Sequence, residues 1–450
     1  MTMNGMTVQK IALACGGQIF GTPTDGEITA VTADSRKTER GCMFAAIVGT
    51  RVDGHDFINA AFEAGAACCL CEKVPDNPAG GCIQVADTQR ALGEIAAYYR
   101  GLFDIPVIAV IGSVGKTTAK EMIYRVLARR FDVLKTEGNL NNELGVPLTL
   151  LRLRSNHEVA VTELGISHFG EMTGLAQIAH PTMALFTVIG DAHLEFLHDR
   201  EGVLKAKSEV LALMPPDGKI FVNGDDPLLA AMPCVQEKIT FGTASGLCVT
   251  ANDIVATASG TKCVIRSQGR EIAVEIPAFG SHMVCAALGA AAVGIELGLT
   301  DGQIAAGIGD YTPVGDRCSA ADTGYITLIS DCYNSNPTSC AAGLRSLAGL
   351  GGRRVCILGD MLELGDSCAQ LHYGIGELAA ELGIDLIICC GELAADIRRG
   401  AGEDAKYYAR KEDLIAQLPT LIHRGDSVLV KASRSMKFEE ICEALRGLKG

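Results

Sequence analysis

Tryptophan is absent from this chain of 450 residues, and aromatic residues make up only 5% of it. So few flat side chains leave no platform on which the bases of a nucleic acid could stack. Positive charge is also in deficit: 39 Lys and Arg stand against 53 Asp and Glu, a formal net charge of −14. That balance excludes a general polyanion binder, so any phosphate must be held locally, by loops and a few basic residues. Long apolar runs are missing too. The longest, Met283–Ile295, is rich in Ala and Gly and falls short of a bilayer span. The N-terminus shows no charged-then-apolar signal segment. Cysteine is plentiful at 18 residues, but scattered and often at apolar positions such as Cys68-Cys69 and Cys389-Cys390. A zinc ribbon or redox motif is therefore not expected, and cysteine as a small core residue in a reducing compartment is. The expectation is a cytoplasmic protein, a monomer, with neither nucleic acid nor membrane as partner.

What is present is globular: 48% hydrophobic and 20% charged residues. The length calls for roughly two to four domains, and three regions separate on pattern. Residues 1–103 mix short strand-like pieces (Gly26–Thr32, Cys42–Ile47, Ala67–Leu70, Gly81–Val85) with alanine-rich helices, and close on an amphipathic helix, Thr88–Leu102. Asp104-Ile105-Pro106 reads as a linker. Residues 104–312 alternate strand and helix, with buried-strand patterns at Val107–Ile111, Val159–Glu163, Met183–Val188 and Lys219–Asn223. Such runs between helices predict a mostly parallel sheet covered on both faces. Residues 313–450 repeat the pattern, with strands at Ile326–Ser330, Arg354–Leu358, Leu386–Cys390 and Ser427–Lys431. The fold class is thus α/β with three domains: a small N-terminal α/β domain, a central sheet domain and a Rossmann-like, doubly wound C-terminal domain. In the last, polar clusters follow the strand ends, where ligands of such sheets bind.

The most specific stretch is Val107–Thr118, Val-Ile-Ala-Val-Ile-Gly-Ser-Val-Gly-Lys-Thr-Thr. A β-branched run ends in a glycine turn, then a lysine, two hydroxyl residues and a helical pattern over Ala119–Arg130. This is the layout of a phosphate-binding loop, although Val110 stands where the first glycine of the usual spacing belongs. Backbone N–H groups from Ser113 to Thr118 (Gly112, Ser113, Val114, Gly115, Lys116, Thr117, Thr118) would cradle phosphates at the positive end of a helix dipole. Lys116 would reach the outer phosphates and Thr117 would offer its hydroxyl to Mg²⁺.

Other constellations are less specific alone. Glu163 ends a buried strand, either as a helix N-cap or as a metal ligand. Ala192-His193-Leu194-Glu195 follows the next strand, on the same sheet edge as the phosphate loop. Gly202–Glu209, with Lys205 and Lys207, reads by composition as a solvated helix face. Thr136–Pro147, with Asn139, Asn141 and Asn142, is an Asn-rich loop of the kind that binds polar ligands without specifying which.

Taken in order, these segments resemble the ATP-dependent Mur ligases of bacterial cell-wall synthesis, over the whole chain. Asp34-Ser35-Arg36, Gly49 and Asp53-Gly54-His55-Asp56-Phe57 look like the family's UDP-sugar domain, Gly112–Thr118 like its compact phosphate loop, and Thr136–Pro147 like an Asn-rich segment of one member. Asp331-Cys-Tyr333-Asn334-Ser-Asn336-Pro337, Leu358-Gly-Asp360-Met-Leu-Glu363-Leu-Gly365 and Val430-Lys431-Ala-Ser433-Arg434-Ser435-Met436 complete the series. The resemblance implies a UDP-sugar-binding domain at 1–103, a central ATP-binding domain at 104–312 and a ligase domain at 313–450. It implies amide formation between D-alanyl-D-alanine and UDP-N-acetylmuramoyl-tripeptide, using ATP and Mg²⁺, with two ions. Lys116 would hold the transferred phosphoryl group, Thr117 one Mg²⁺, and Glu163 and His193 the second. Lys207 matches a lysine that family members carbamylate with CO₂, giving a metal-binding carbamate. Asn334 and Asn336 look like ATP contacts and Arg317 like an arginine that meets the γ-phosphate. Ser35, Arg36, Asn139, Asn141, Asp360, Lys431, Ser433 and Arg434 would face the substrates.

The sequence departs from the family at Val114, where Asn is usual, at Met283 and Ala286, where His-Asn-x-x-Asn is usual, and at Ala432, where Gly is usual. Two rivals stand beside this reading: a ligase of the same build with another amine or with folate, and a non-catalytic nucleotide switch.

Overall fold

The computed structural model describes residues 2–257, 260–278, 280–313 and 319–449. Its strands form three sheets. The first contains β1 (Gln18–Phe20), β2 (Val31–Thr32), β3 (Met43–Ala45), β4 (Cys68–Cys71) and β5 (Gly81–Gln84), in the order β1-β5-β4-β3-β2. Only β1 is antiparallel to its neighbour. The second holds β6 (Val107–Ile111), β7 (Val133–Lys135), β8 (Val159–Glu163), β9 (Met183–Phe186), β10 (Lys219–Asn223), β11 (Glu237–Gly242), β12 (Val249–Thr257), β13 (Gly260–Ser267) and β14 (Arg270–Ile276). Their order is β14-β13-β12-β11-β10-β9-β6-β8-β7, with the glycine-loop strand near the middle of the parallel part. The third holds β15 (Ser319–Asp322), β16 (Thr327–Asp331), β17 (Arg354–Gly359), β18 (Leu386–Cys390), β19 (Lys406–Tyr408) and β20 (Ser427–Lys431), ordered β15-β16-β20-β17-β18-β19.

The continuous apolar runs become buried strands for a simple reason: both faces of the second sheet are covered. Along β6 the side chains alternate between two cores, Val107, Ala109 and Ile111 in one and Ile108 and Val110 in the other. The first of these cores is shared with the N-terminal region. The third sheet is likewise flanked by two cores. The antiparallel extension β12–β14 was not among the strands read from sequence. There, one face is open, so β14 alternates exposed Glu271, Ala273 and Glu275 with buried Ile272, Val274 and Ile276, a charged outer edge that resists pairing with other chains.

Cys68 and Cys71 have the Cys-x-x-Cys spacing, but both lie in β4, where residues three apart face opposite sides of the sheet. Cys68 enters the large core and Cys71 a small outer cluster with Cys69 and Cys82, so the pair can share neither a metal nor a disulfide. Among the described residues no helix is long and apolar enough to cross a membrane.

The helix Thr88–Arg100 fastens the first region to the second. Tyr99 is buried and its hydroxyl donates to the Leu153 carbonyl (2.8 Å). The Arg100 guanidinium donates to the carbonyls of Phe103, Ile105, Ala179 and His180. It thereby satisfies the end of helix Glu171–Ala179 and the linker together. The Leu153 carbonyl also accepts from Arg154 Nη1 (2.7 Å), and the Tyr99 hydroxyl itself accepts from Asn4 N (3.3 Å). Tyr99→Phe would remove the bond to Leu153 and take away the acceptor of the Asn4 N–H, and is expected to cost about 1–2 kcal/mol, read as a lower urea midpoint; an unchanged midpoint would contradict this docking role.

Candidate functional site

The carboxyl ends of β6, β8 and β9 and those of β16 and β20 border one cleft of about 320 Å³. Its middle-region wall is the glycine loop Ser113–Thr118 with Asn139, Asn141, Asn142, Glu163 and His193; its C-terminal wall includes Asp331, Tyr333, Asn334, Asn336 and Lys431.

The loop's shape follows from its glycines. Gly112 has φ +149°, and a Cβ there would lie 2.0 Å from Thr187 Oγ1. Gly115 has φ +81° and turns the chain straight into the helix Lys116–Leu127, which is why that helix starts at Lys116 and not at Ala119. Thr187 Oγ1 donates to the Val114 carbonyl (2.6 Å). The Ser113 N–H is already spent on Val188 O (2.8 Å), so a cradle of backbone donors begins after it. Ala119 N–H is bonded to Gly115 O, and the N–H groups of the first helical turn before it have no intrahelical partner. Lys116 Nζ folds back onto Gly112 O (2.9 Å).

Glu163 is fully buried at the end of β8 and caps no helix. Its carboxylate accepts from Thr117 Oγ1 (3.0 Å) and from Asn141 Nδ2 (2.8 Å). Lys120 Nζ lies 3.5 Å from the same carboxylate, 3.3 Å from Glu121, and donates to Gly138 O (3.1 Å). Lys120 has no exposure at all, and it was not singled out in the sequence. The available signal was its place one helical turn after Lys116, on the same face. Asn142 turns inward to accept from Gly145 N (3.0 Å), fixing the Asn-rich loop to the helix Gly145–Leu150.

His193 borders the cleft and its Nδ1 meets Glu363, from the loop after β17. The imidazole holds the Glu363 carboxyl below its ordinary value. Lys207 is buried while Lys205 is exposed, which overturns the solvated reading for one of the two lysines. Burial above all, then the charge of Lys116, pushes the Lys207 amine well below its ordinary value. Lys431 Nζ donates to Asp331 (2.6 Å) and to Asn334 O (3.0 Å) at paired strand ends. Asn336 caps the helix Pro337–Ala348 through Ser339 N (2.8 Å), leaving its amide N–H₂ group for a ligand. His282, also on the cleft, keeps both ring nitrogens without a partner and is pushed toward the neutral form by burial.

The remaining expected residues are not brought to this cleft. Ser433 accepts from Leu362 N, Asp360 accepts from Ala394 N, and Arg434 pairs with Glu439 and lies over the Tyr333 ring, 5.4 Å from its centroid. Ala432, where a glycine was expected, is a buried core residue. Ser35 and Arg36 lie in a short helical turn of the first region, where Arg36 forms a two-bonded pair with Asp34 (2.9 Å each). Arg317 lies outside the described residues.

Lys120→Met would leave two buried carboxylates without their shared cation. A loss of about 3–5 kcal/mol in chemical unfolding is expected, and a loss under about 1 kcal/mol would contradict the role of this network.

Three family descriptions match the chain in order: Mur ligase family, catalytic domain, over residues 27–100; Mur ligase middle domain over 110–294; and Mur ligase, glutamate ligase domain, over 317–434. The UDP-N-acetylmuramoyl-tripeptide–D-alanyl-D-alanine ligase of Bacillus subtilis (strain 168) is 38% identical over 430 residues, 93% of each chain. A crystal structure of MurF from Acinetobacter baumannii superposes with a TM-score of 0.92 at 32% identity, covering 100% of both chains. MurF ligase from Thermotoga maritima in complex with ADP gives 0.83 at 26% identity, over 93% of this chain and 97% of that one. The chain belongs to the Mur ligase family.

Proposed function

We propose that this protein is an ATP-dependent amide ligase that joins D-alanyl-D-alanine to UDP-N-acetylmuramoyl-tripeptide in the making of peptidoglycan precursors. The observation that carries the reading is the contact between the Thr117 hydroxyl and the buried Glu163 carboxylate at the mouth of a glycine loop, facing a second sheet's strand ends across one cleft. The relatives named above, alike over nearly the whole chain, supply the substrates.

In this reading residues 1–103 bind the UDP-sugar, with Ser35 and Arg36 among the contacts, residues 104–312 bind ATP, and residues 313–450 bring the amine. The tripeptide carboxylate attacks the γ-phosphorus of ATP, giving an acyl phosphate and ADP. The dipeptide amine, having lost its proton, then attacks the acyl carbon, and the tetrahedral intermediate collapses to amide and phosphate. The protein's task is positioning and charge neutralisation. Lys116 leaves Gly112 O for the outer phosphate and holds the oxygens that gain charge in transfer. Backbone N–H groups at the start of its helix fix the rest of the triphosphate. Asn334 and the free amide N–H₂ of Asn336 contact the nucleotide, and Arg317 meets its γ-phosphate. Asn139, Asn141, Lys431, Ser433, Arg434 and Asp360 order the walls against which the two acceptors lie.

The donor set fits Mg²⁺. Thr117 and Glu163 present hard oxygen atoms together, and no three-ligand cluster of His, Cys, Asp and Glu stands ready among the described residues. That suits a cation which keeps several waters and takes the rest of its shell from substrate phosphates. When bound, the ion neutralises charge on the phosphoryl oxygens. A second ion would draw on Glu163, His193 and Lys207. Carbamylation needs an uncharged amine to attack CO₂ and shed a proton, and the burial that depresses Lys207 supplies one. The protein works in this reading as a cytoplasmic monomer on small molecules, apart from nucleic acid and membrane.

The test supplies ATP, D-alanyl-D-alanine and a UDP-tripeptide carrying L-lysine or meso-diaminopimelate, with the product read by mass spectrometry. ADP release should require both acceptors, and Lys116→Ala should abolish it. ADP release indifferent to the acceptors would favour a nucleotide switch; amide formation by Lys116→Ala would remove the role given to that lysine.

A further inference from the structure

Two residues of the cleft rim share an uncommon backbone state. His193 has φ +58° and Glu363 has φ +62°. Left-handed geometry in residues other than glycine costs of order 1–3 kcal/mol and persists where the surroundings enforce it. The two meet side chain to side chain across the boundary between the second and third sheets, Glu363 carboxylate on His193 Nδ1. The backbone bonds as well: Glu195 N–H donates to Glu363 O (3.3 Å). The same loop after β9 is held at a second point, where Asp191 N–H donates to Thr338 Oγ1 (3.1 Å) and that hydroxyl donates to Asp191 Oδ2 (3.2 Å). No side chain would fit at Gly190, because its Cβ would lie 2.4 Å from Thr338 Oγ1.

We propose that Glu363 is a positioning residue: it reaches from the C-terminal region and fixes the His193 imidazole with the proton on Nδ1 and Nε2 presented to the cleft. A carboxylate accepts and cannot donate, so the nitrogen facing it carries the hydrogen, and in the neutral ring the other nitrogen is the acceptor. Without Glu363 the ring is free to take the opposite tautomer and to turn. The acceptor nitrogen is therefore fixed toward the cleft while the C-terminal region is docked on the middle one, which couples docking to assembly of the site. The second ion that the proposed function gives to Glu163, His193 and Lys207 would meet a lone pair on Nε2 there. This consequence rests on the function proposed above; the tautomer itself does not.

The test is ¹⁵N NMR of the full chain labelled at histidine, with and without Mg²⁺ and a non-hydrolysable ATP analogue, the His193 signal assigned through His193→Gln. Wild type should show His193 protonated at Nδ1 and bare at Nε2, and Glu363→Leu should lose that pattern. Glu363→Gln, which keeps an acceptor oxygen at the same reach, should retain it. Amide formation by Glu363→Leu should fall about 10- to 100-fold in kcat while the analogue binds as in wild type, and adding Glu363→Leu to His193→Gln should cost nothing more. The same tautomer in wild type and Glu363→Leu, or additive losses in the double variant, would overturn the proposal. A wild type that binds no ATP analogue yet keeps the tautomer would overturn the function and leave this inference standing.

Discussion

The side chain of Glu163 is buried at the end of a strand, and three segments of the cleft's middle-region wall converge on its carboxylate. An isolated carboxylate in such a place would be prohibitively costly. Three segments far apart in sequence offset that cost: Thr117 from the helix after the glycine turn, Asn141 from the Asn-rich loop, and Lys120 from one turn further along the helix. Each partner is thereby fixed in turn. Lys120 also ties Gly138 down, so the Asn-rich loop, the glycine turn and β8 cannot shift independently. A pair of oxygen atoms is left preset beside the first turn of a helix, whose dipole favours anions.

Parallel sheets make such an arrangement possible, because all their strands deliver loops to one edge. Here two parallel sheets from successive regions direct those edges at a common cleft. The C-terminal side has its own buried pair, Lys431 with Asp331, on adjacent strand ends in register. Its lysine also holds Asn334 through the backbone carbonyl. The two walls therefore carry fixed charges of both signs, a suitable setting for a triphosphate and for the acids and amines that react around it. Among the described residues the seam between them carries polar contacts at Thr338 and Glu363, and no apolar core cluster spans it, the kind of boundary across which domain movement is expected.

Much of this was legible in the sequence where one local cause dominates. Val107–Ile111 is an uninterrupted apolar run, Val159–Glu163, Lys219–Asn223 and Ser427–Lys431 are three-residue apolar stretches with polar ends, and the structure gives all four strands the same bounds. The glycine turn declared itself because only glycine tolerates Gly112's approach to Thr187. What stayed hidden depends on tertiary context. The strands β12–β14 are covered on one face, so β14 carries a period-two alternation in place of a continuous apolar run, and such a strand does not stand out beside the buried runs. Lys120 and Lys207 look like ordinary helix lysines, and only the packing of other elements over them reveals that they are buried while Lys205 is not. Glu363 gave no hint of His193, since the two are separated by 170 positions. Asn336, Ser433 and Asp360, which the family resemblance places at ligands, also hold the protein's own loops: the amide oxygen of the first, the hydroxyl of the second and the carboxylate of the third accept backbone N–H groups.

The most direct measurement is a crystal structure with Mg²⁺ and a non-hydrolysable ATP analogue. The account predicts the β- and γ-phosphates on the turn Gly112–Thr118, Lys116 swung from Gly112 O to the outer phosphate, and the ion beside Thr117 Oγ1 and Glu163. A nucleotide bound elsewhere, with this turn empty and Thr117 still bonded only to Glu163, would contradict it.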